Sequence, residues 1–229
     1  SRESVVEVCG TAKASNQAKG GAEVIPESIT VLSSAASPLP LGVVDKVNAE
    51  MDTRYDHRFM DLRKPEARAV FEIKSKVLRL IDEYLLGEDF VEVFSPKIVA
   101  SGAEGGATLF KLDYFGKPAY LAQSPQLYKQ MIMSTGLDRV FEIGPAFRAE
   151  PSDTVRHVSE FISFDGEMAY IDSMNDVLQM LEGCIQHVIK GVAETSSAQL
   201  EILGTEVKVP KAPYPIIEYK DAVEIVTKE

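Results

Sequence analysis

The chain has 229 residues, 45% of them hydrophobic and 26% charged, and a formal net charge of −11 at pH 7. This composition is typical of a globular protein, and the acidity argues against a non-specific nucleic-acid binder while remaining compatible with a local basic patch. No apolar run reaches membrane-spanning length, and the two cysteines, Cys9 and Cys184, lie far apart in no metal-ligand spacing. We therefore expect reduced thiols, a cytoplasmic location and no membrane partner.

The N-terminal residues 1–37 predict a β-hairpin that belongs to a larger sheet. β-rich runs at 5–8 and 24–32 flank a polar stretch that ends in residues 19–21 (KGG), which is typical of a hairpin turn. Two strands do not form a stable sheet on their own, so further strands must pair with them. The proline-rich run 37–41 then predicts a linker.

Alternating helices and strands follow from about residue 54. Pro65 stands at a favourable first helical position, apolar residues recur at helical spacing as far as Leu85, and Gly87 predicts the end of this helix. Ser124 as the cap and Pro125 in the first turn predict another helix. The predicted strands are 90–94, 108–112, 118–122, 139–149 and 158–171, and the further helices are 125–134, 173–194 and 219–228.

Two of these strands, 139–149 and 158–171, carry polar side chains on one face, because side chains alternate between the faces of a strand. The apolar face collects Phe141, Ile143, Pro145, Phe147, Ile162, Phe164, Met168 and Tyr170. The other face collects Glu142, Gly144, Ala146, Arg148, Glu150, Phe161, Ser163, Asp165, Glu167 and Ala169. The pattern alone favours a solvated sheet face with an ordinary ion pair. The alternative is a site for a flat, anionic ligand with a divalent cation.

The same two strands carry a recognisable motif. Residues 140–150 (VFEIGPAFRAE), 156–161 (RHVSEF) and 165–170 (DGEMAY) resemble motif 2 of the class II aminoacyl-tRNA synthetases, in the form found in archaeal- and eukaryotic-type aspartyl-tRNA synthetases. Four other segments resemble further parts of that family: its aspartate-binding segment at 119–130 (AYLAQSPQLYKQ), its mobile loop over the amino acid at 101–106 (SGAEGG), the end of motif 1 at 90–96 (FVEVFSP), and the last strands of its anticodon-binding OB-fold at 5–32. The resemblance covers nearly the whole chain.

This resemblance implies an α+β fold, with the antiparallel sheet and flanking helices of a class II catalytic domain preceded by the last strands of an OB-fold β-barrel. The implied parts are the OB-fold remnant at 1–37, a hinge at 38–58 and the catalytic domain at 59–229. Motif 3 and the OB strands that read the anticodon have no counterpart in the sequence, and Ala103 stands where relatives often have Ser or Thr. The opening Ser1-Arg2-Glu3 lacks an initiator methionine and a signal-peptide pattern. We expect a chain truncated at both ends, which alone is inactive or very weak.

The activity implied by the resemblance is that of an aspartate–tRNA ligase. Such an enzyme joins L-aspartate to ATP, releases pyrophosphate and transfers the aspartyl group to tRNA-Asp, with tRNA-Asn as a further acceptor to be considered. The implied ATP-binding residues are Arg148, Glu150, Arg156, His157 and Phe161. Arg148 would stabilise charge on the α-phosphate, Glu150 would orient the adenine and Phe161 would stack on it. Arg156 and His157 would bind ATP phosphate or the tRNA acceptor end.

The remaining implied residues hold the amino acid, the metal and the second subunit. The implied aspartate-binding residues are Glu104, Gln126, Lys129 and Asp165. Lys129 would pair with the side-chain carboxylate of aspartate, Asp165 would bind its ammonium, and Glu104 would close over it. Glu167 would bind Mg²⁺ through oxygen, which hard cations prefer, and Pro96 of motif 1 would lie at a homodimer interface. Taken singly, each residue has a structural alternative: an ordinary ion pair, a core aromatic ring, a solvated lysine or a surface turn.

Two other functions remain open at this point. An asparaginyl or asparagine-synthesising relative would share most of the motifs, but Lys129 and the OB-fold remnant count against it. A non-catalytic paralogue would keep the fold as a tRNA-binding or scaffold module. The joint presence of Arg148, Glu150, Phe161, Asp165 and Glu167 argues against such a paralogue.

Overall fold

The computed structural model describes residues 2–18, 20–42, 49–103, 109–152, 154 and 156–227. The chain divides into two compact units, Ser1–Arg68 and Ala69–Glu229. Among the helices of the described residues, none has the length and apolar character needed to cross a membrane. The domain limits drawn from the sequence stay predictions.

The first unit begins with the predicted hairpin. Strand β1 (Val5–Ala14) pairs antiparallel with strand β2 (Ala22–Ser33), and every residue of both strands is exposed. The exposed valine and isoleucine side chains agree with the expectation that the hairpin belongs to a larger sheet. The register shifts between Cys9 and Gly10, where a Cβ at position 10 would lie 2.0 Å from the carbonyl oxygen of Ile25. Only glycine fits this close approach of the two backbones.

Two short helices of the first unit are absent from the sequence prediction. Helix α1 (Met51–Asp56) lies inside the predicted linker, and helix α2 (Arg58–Asp61) follows it directly. Helices of six and four residues are too short for apolar periodicity to reveal them. The predicted hinge 38–58 therefore contains regular structure at its C-terminal end.

A buried carboxylate anchors this helical segment. Asp61 is fully buried and forms ion pairs with Arg54, Arg58 and Lys64. Hydrogen bonds from the Arg54 guanidinium lower the pKa of Asp61 below its ordinary value, and the burial of the carboxylate opposes this shift. Asp61 therefore remains ionised although it has no contact with solvent.

Helices and two small sheets make up the rest of the chain. In chain order, the elements are α3 (Pro65–Gly87), β3 (Val91–Glu92), β4 (Ile98–Val99), β5 (Lys111–Tyr114), β6 (Lys117–Leu121), α4 (Gln126–Met133), β7 (Arg139–Phe147), β8 (Glu160–Met168), α5 (Met174–Thr195), α6 (Ser197–Leu203) and α7 (Tyr219–Thr227). One sheet has the order β3-β7-β8, in which β7 is parallel to β3 and antiparallel to β8. The other is antiparallel with the order β4-β6-β5. The predicted helices and strands are present with shifted ends, and β4 and α6 are additional.

The core of the second unit lies on the predicted apolar face of β7 and β8. Leu85 of α3, Phe90 and Phe141 form the buried cluster. Ile143 and Met168 pack against it, together with side chains from α3 and α5. Helix α5 starts at a capping box. The side chain of Ser173 accepts a hydrogen bond from the backbone of Asp176, and the side chain of Asp176 accepts one from the backbone of Ser173. The predicted assignment of the apolar face is therefore confirmed for Phe141, Ile143 and Met168. It is not confirmed for Ile162 and Phe164 of β8, which are 50% and 38% exposed.

Three details of the sequence prediction are wrong. Tyr170, predicted on the apolar face, lies beyond the end of β8 with a φ of 54° and is 91% exposed. Helix α4 begins one residue later than predicted, so Pro125 precedes it, and Ser124 Oγ accepts a hydrogen bond from the backbone of Gln126 at 3.4 Å. Glu142, predicted on a solvated or ligand-facing surface, is only 2% exposed, because Lys97 covers and neutralises it.

Candidate functional site

A buried lysine lies where helix α4 packs against strands β7 and β8. Lys129 is 4% exposed, and its Nζ donates to Asp165 Oδ1 and to the carbonyl oxygen of Gly166, both at 3.4 Å. Glu167 Oε2 lies 3.6 Å from the same nitrogen. A lysine is rarely buried to this extent unless its charge is paired. Two carboxylates and one carbonyl therefore hold this ammonium in place.

Local structure of α4 directs the lysine toward the sheet. The carbonyl oxygen of Pro125 accepts the backbone hydrogen bond of Lys129 at 2.9 Å, which places the lysine one turn into the helix. The aliphatic stem packs at the helix–sheet contact while the ammonium reaches the polar face of β8. Gln126 lies three residues earlier on the same face of the helix and is half-buried. Their shared role in binding the amino acid stays a prediction.

Asp165 is fixed at both of its oxygens. Ser163 Oγ donates to Asp165 Oδ2 at 2.6 Å, while Oδ1 accepts from Lys129. Every second residue of β8 lies on the same face of the strand, and this face carries Ser163, Asp165 and Glu167. Asp165 therefore presents its carboxylate in one orientation.

An arginine and an aromatic ring lie further along the same two strands. Arg148 follows the end of β7, and its guanidinium carbon lies 5.4 Å from the centroid of the Phe161 ring. The backbone of Arg148 donates to the carbonyl oxygen of Ser159 at 3.0 Å, so the pairing of the strands continues past the end of β7. A guanidinium at this distance from an aromatic face gains a cation–π attraction. The flat ring and the cation offer complementary surfaces for a flat, anionic group.

The loop between β7 and β8 holds the remaining predicted nucleotide-binding residues. The backbone of Glu150 donates to the carbonyl oxygen of Arg148 at 2.8 Å, which makes a tight turn directly after the strand. Thr154 Oγ1 lies 2.7 Å from His157 Nδ1 and accepts from the backbone of Arg156 at 3.3 Å. The side chains of Glu150, Arg156 and His157 are exposed. These three side chains are accessible from solvent, and they lie close in sequence to Arg148 and Phe161.

A second ion pair, in which the carboxylate is buried, lies on the same sheet face. Glu142 of β7 pairs with Lys97, and its other oxygen accepts from the backbone of Ser95 at 3.1 Å. Lys97 Nζ also donates to Ser95 Oγ at 3.0 Å. Lys97 was not among the predicted site residues. The signal that could have revealed this pair is the glutamate within an otherwise apolar run at 140–143, since a charge at such a position requires a partner.

The sequence and the structure both match known proteins. Residues 50–229 match the family of tRNA synthetases class II (D, K and N). This match covers well over half of the chain. The chain belongs to this family. Curated relatives include the aspartate–tRNA(Asp) ligase of Pyrococcus abyssi, 51% identical over 225 residues, and the aspartate–tRNA(Asp/Asn) ligase of Archaeoglobus fulgidus, 49% identical over 228 residues.

These relatives are longer than the chain. The alignments cover 98% and 100% of the chain but only 51% and 53% of the two ligases, so the chain spans about half the length of the curated relatives it matches. Solved structures give the same proportion. The asparaginyl-tRNA synthetase of Pyrococcus horikoshii in complex with asparaginyl-adenylate has a TM-score of 0.85 and 34% identity, and covers 100% of this chain and 52% of its own. The aspartyl-tRNA synthetase of Entamoeba histolytica has a TM-score of 0.79 and 28% identity, with 98% and 49% covered.

The family membership confirms the predicted class II synthetase fold of the second unit. The hairpin of β1 and β2 lies outside the matched residues 50–229, and its assignment to an OB-fold stays a prediction. The structure brings together Lys129, Asp165 and Glu167, and separately Arg148 and Phe161.

One predicted residue, Pro96, stands apart from these groups. Pro96 is exposed in the segment between β3 and β4, next to Phe94, which is 77% exposed. Glu104 lies outside the described residues. Among the described residues, no group of three or more His, Cys, Asp or Glu side chains is arranged to hold a metal ion. Mg²⁺ typically binds one or two protein carboxylates together with substrate phosphates, and the half-buried carboxylate of Glu167 fits that mode.

Proposed function

We propose that the full-length protein is an aspartate–tRNA ligase, which forms aspartyl-adenylate from L-aspartate and ATP and transfers the aspartyl group to tRNA-Asp. The observation that carries this proposal is the buried Lys129 on a sheet face that also presents Asp165 and Glu167. The Arg148–Phe161 pair on the same two strands supports a neighbouring nucleotide site. Curated relatives that bear the name aspartate–tRNA ligase support the same activity.

The amino-acid end of the site consists of opposite charges at fixed positions. Lys129 offers an ammonium to the side-chain carboxylate of aspartate, and Asp165 offers a carboxylate to its ammonium group. Gln126, on the helix face of Lys129, adds hydrogen-bonding capacity. Asparagine carries a neutral amide in place of the carboxylate, so it would leave the buried ammonium without a new ion pair. This arrangement therefore favours aspartate.

The nucleotide end of the site combines stacking with charge stabilisation. Phe161 stacks on the adenine, and Glu150 accepts a hydrogen bond from the adenine amino group. The α-carboxylate of aspartate attacks the α-phosphorus, and the bond to the pyrophosphate leaving group breaks. Arg148 stabilises the charge that develops on the α-phosphate oxygens. The exposed Arg156 and His157 bind the outer phosphates or the tRNA acceptor end.

A divalent cation completes this proposal. Glu167 would hold Mg²⁺ at a single carboxylate, and the ion would neutralise phosphate charge during the displacement. The side chain of Glu167 is 27% exposed beside Lys129, so its carboxylate is accessible. Glu104 is proposed to close over the bound aspartate.

The partners of the proposed enzyme are tRNA and a second copy of the protein. tRNA-Asp is the proposed acceptor, and tRNA-Asn is a second candidate because some of the similar ligases are named for both. Exposed Pro96 and Phe94 support a homodimer interface at the end of motif 1. We propose that the enzyme charges tRNA in the cytoplasm.

The proposal is tested by aspartate-dependent ATP–pyrophosphate exchange on the full-length gene product, with asparagine as the control amino acid. Exchange with aspartate and not with asparagine is the expected result. Charging of tRNA-Asp and tRNA-Asn transcripts then measures acceptor specificity. A folded full-length protein that catalyses no exchange with aspartate would overturn the proposal and favour a non-catalytic synthetase-like module.

A further inference from the structure

The two ion pairs of the site, each with one buried partner, belong to one row of charges. In the register of β7 and β8, Glu142 stands directly opposite Asp165, and Val140 stands opposite Glu167. Directly opposed side chains of an antiparallel pair have Cβ atoms about 4.5–5.5 Å apart on the same face. Lys97 pairs with Glu142 at one end of this row, and Lys129 pairs with Asp165 and Glu167 at the other. The row therefore holds two cations and three carboxylates.

The carboxylate of Glu142 has a specific relation to the amino-acid site. Glu142 is 2% exposed, so water does not solvate its charge. Glu142 and Asp165 carry like charges directly opposite each other on the sheet, and such charges repel. Without Lys97, Glu142 would be a buried, uncompensated carboxylate directly opposite Asp165, the residue that pairs with Lys129. Lys97 thus neutralises the carboxylate of Glu142, so that Glu142 does not compete with Asp165 and Glu167 for Lys129.

The backbone is adapted to this local pairing. A Cβ at Gly144 would lie 2.9 Å from Glu142 Oε1 and 3.4 Å from Lys97 Nζ, so the glycine leaves the space in which the two groups meet. The carbonyl oxygen of Lys97 accepts from the backbone of Ala122 at 2.9 Å, and the carbonyl oxygen of Ala122 accepts from Phe147 at 3.0 Å. Lys97 is therefore held against both β7 and the segment that leads into α4.

We propose that Lys97 is a positioning residue for amino-acid activation: by neutralising Glu142, it keeps Lys129 available for the side-chain carboxylate of the amino-acid substrate. This inference rests on the proposed function, since it assigns the substrate carboxylate to Lys129. Lys97 itself does not touch the substrate. Its effect is transmitted through Glu142 and the opposed Asp165.

The test uses the full-length protein and compares KM for aspartate with KM for ATP in pyrophosphate exchange. Lys97→Met is expected to raise KM for aspartate on the order of 10-fold to 100-fold, the scale of a misplaced binding group, with KM for ATP changed less than about threefold. Adding Glu142→Gln in the double variant removes the uncompensated carboxylate and keeps an acceptor for the backbone of Ser95. The double variant is expected to recover KM for aspartate to within about threefold of the wild type.

Two further variants provide controls. Lys97→Arg keeps a cation against Glu142 and is expected to behave like the wild type. Arg139→Met removes a cation from the start of β7 that pairs with Glu88 outside the charge row, and it is expected to leave KM for aspartate unchanged. If Lys97→Met does not fold, Lys97→Gln is measured in its place, because its amide hydrogen-bonds Glu142 without neutralising it.

The outcomes distinguish a failure of the role of Lys97 from a failure of the proposed function. A rise confined to KM for aspartate, followed by recovery in the double variant, supports the proposal, because a purely structural defect would raise both KM values. A double variant no better than Lys97→Met, an unchanged KM for aspartate in Lys97→Met, or an equal rise in both KM values would overturn it while the proposed function stands. A wild-type protein that neither exchanges pyrophosphate with aspartate nor gains thermal stability from aspartate would overturn both.

Discussion

The most direct prediction concerns Lys129→Met, which removes the buried ammonium while keeping an unbranched apolar side chain. At an effective dielectric constant of about 20, two unit charges 3.4 Å apart attract each other by about 5 kcal/mol. Desolvation cancels part of this energy, and removal of one member of a buried charged pair costs about 3–5 kcal/mol. A substrate carboxylate in the variant would face Asp165 and Glu167 with no cation between them. We therefore expect kcat/KM for aspartate to fall by about 100-fold to 1000-fold.

The assay is pyrophosphate exchange on the full-length protein, with aspartate and asparagine compared at saturating ATP. KM for ATP should change less than about threefold, because Arg148 and Phe161 are unaltered. Lys117→Met is the matched control, since it removes an exposed lysine of β6 by the same substitution. A Lys129→Met enzyme that keeps its kcat/KM for aspartate, or that loses ATP binding to the same degree, would refute the assignment of Lys129 to the aspartate side chain.

Three further properties can be measured independently. Phe161→Leu should raise KM for ATP by about 2-fold to 10-fold, the value of an aromatic stacking contact, and leave KM for aspartate unchanged; a rise in both would contradict a stacking role. The folded-state pKa of Asp61 is lowered by its Arg54 hydrogen bonds, so its contribution to stability is present at neutral pH and is lost as the pH falls below about 4; urea titrations of Asp61→Asn should show a weaker loss over that range than the wild type. Burial raises the pKa of the Cys184 thiol, whereas Cys9 is exposed, so iodoacetamide at pH 8 should label Cys9 first and Cys184 only on unfolding; equal labelling rates would show that the buried position is wrong.

Long elements with strong periodicity could be predicted from the sequence, and short ones could not. The helix from Pro65 to Gly87 has the limits that its proline and glycine indicated, because capping chemistry and apolar spacing agree there. Helix α6 and strand β4 have seven and two residues, respectively, which is too short for periodicity to detect. Tyr170 shows a different failure: strand alternation continues in the sequence, but the backbone turns to a positive φ and ends the pairing.

The site also has residues that the sequence pattern predicts and one that it does not. Alternation placed Asp165, Glu167 and Phe161 on one face, and the contacts of Lys129 and Arg148 agree with that face. Lys97 was not predicted, because its partner Glu142 lies 45 residues away in sequence and no local pattern links them. Long-range charge pairing depends on how β7 packs against the preceding segment, which is tertiary information. The tertiary fold, and not the motif, therefore reveals the charge row.

In the proposed aspartate–tRNA ligase, we expect discrimination between aspartate and asparagine to depend on this charge row more than on the fold. A solved asparaginyl-tRNA synthetase shares the fold of this chain with a TM-score of 0.85, so the backbone alone does not select the amino acid. In the described structure, Lys129 Nζ donates to Asp165 and Gly166 and lies 3.6 Å from Glu167 Oε2. An incoming carboxylate gains a charge-assisted bond to an ammonium that is already desolvated, whereas a neutral amide gains only an ordinary hydrogen bond. Because the burial of Lys129 is offset within the protein by Asp165 and Glu167, the substrate does not have to supply that compensation, and its carboxylate adds binding energy that asparagine lacks.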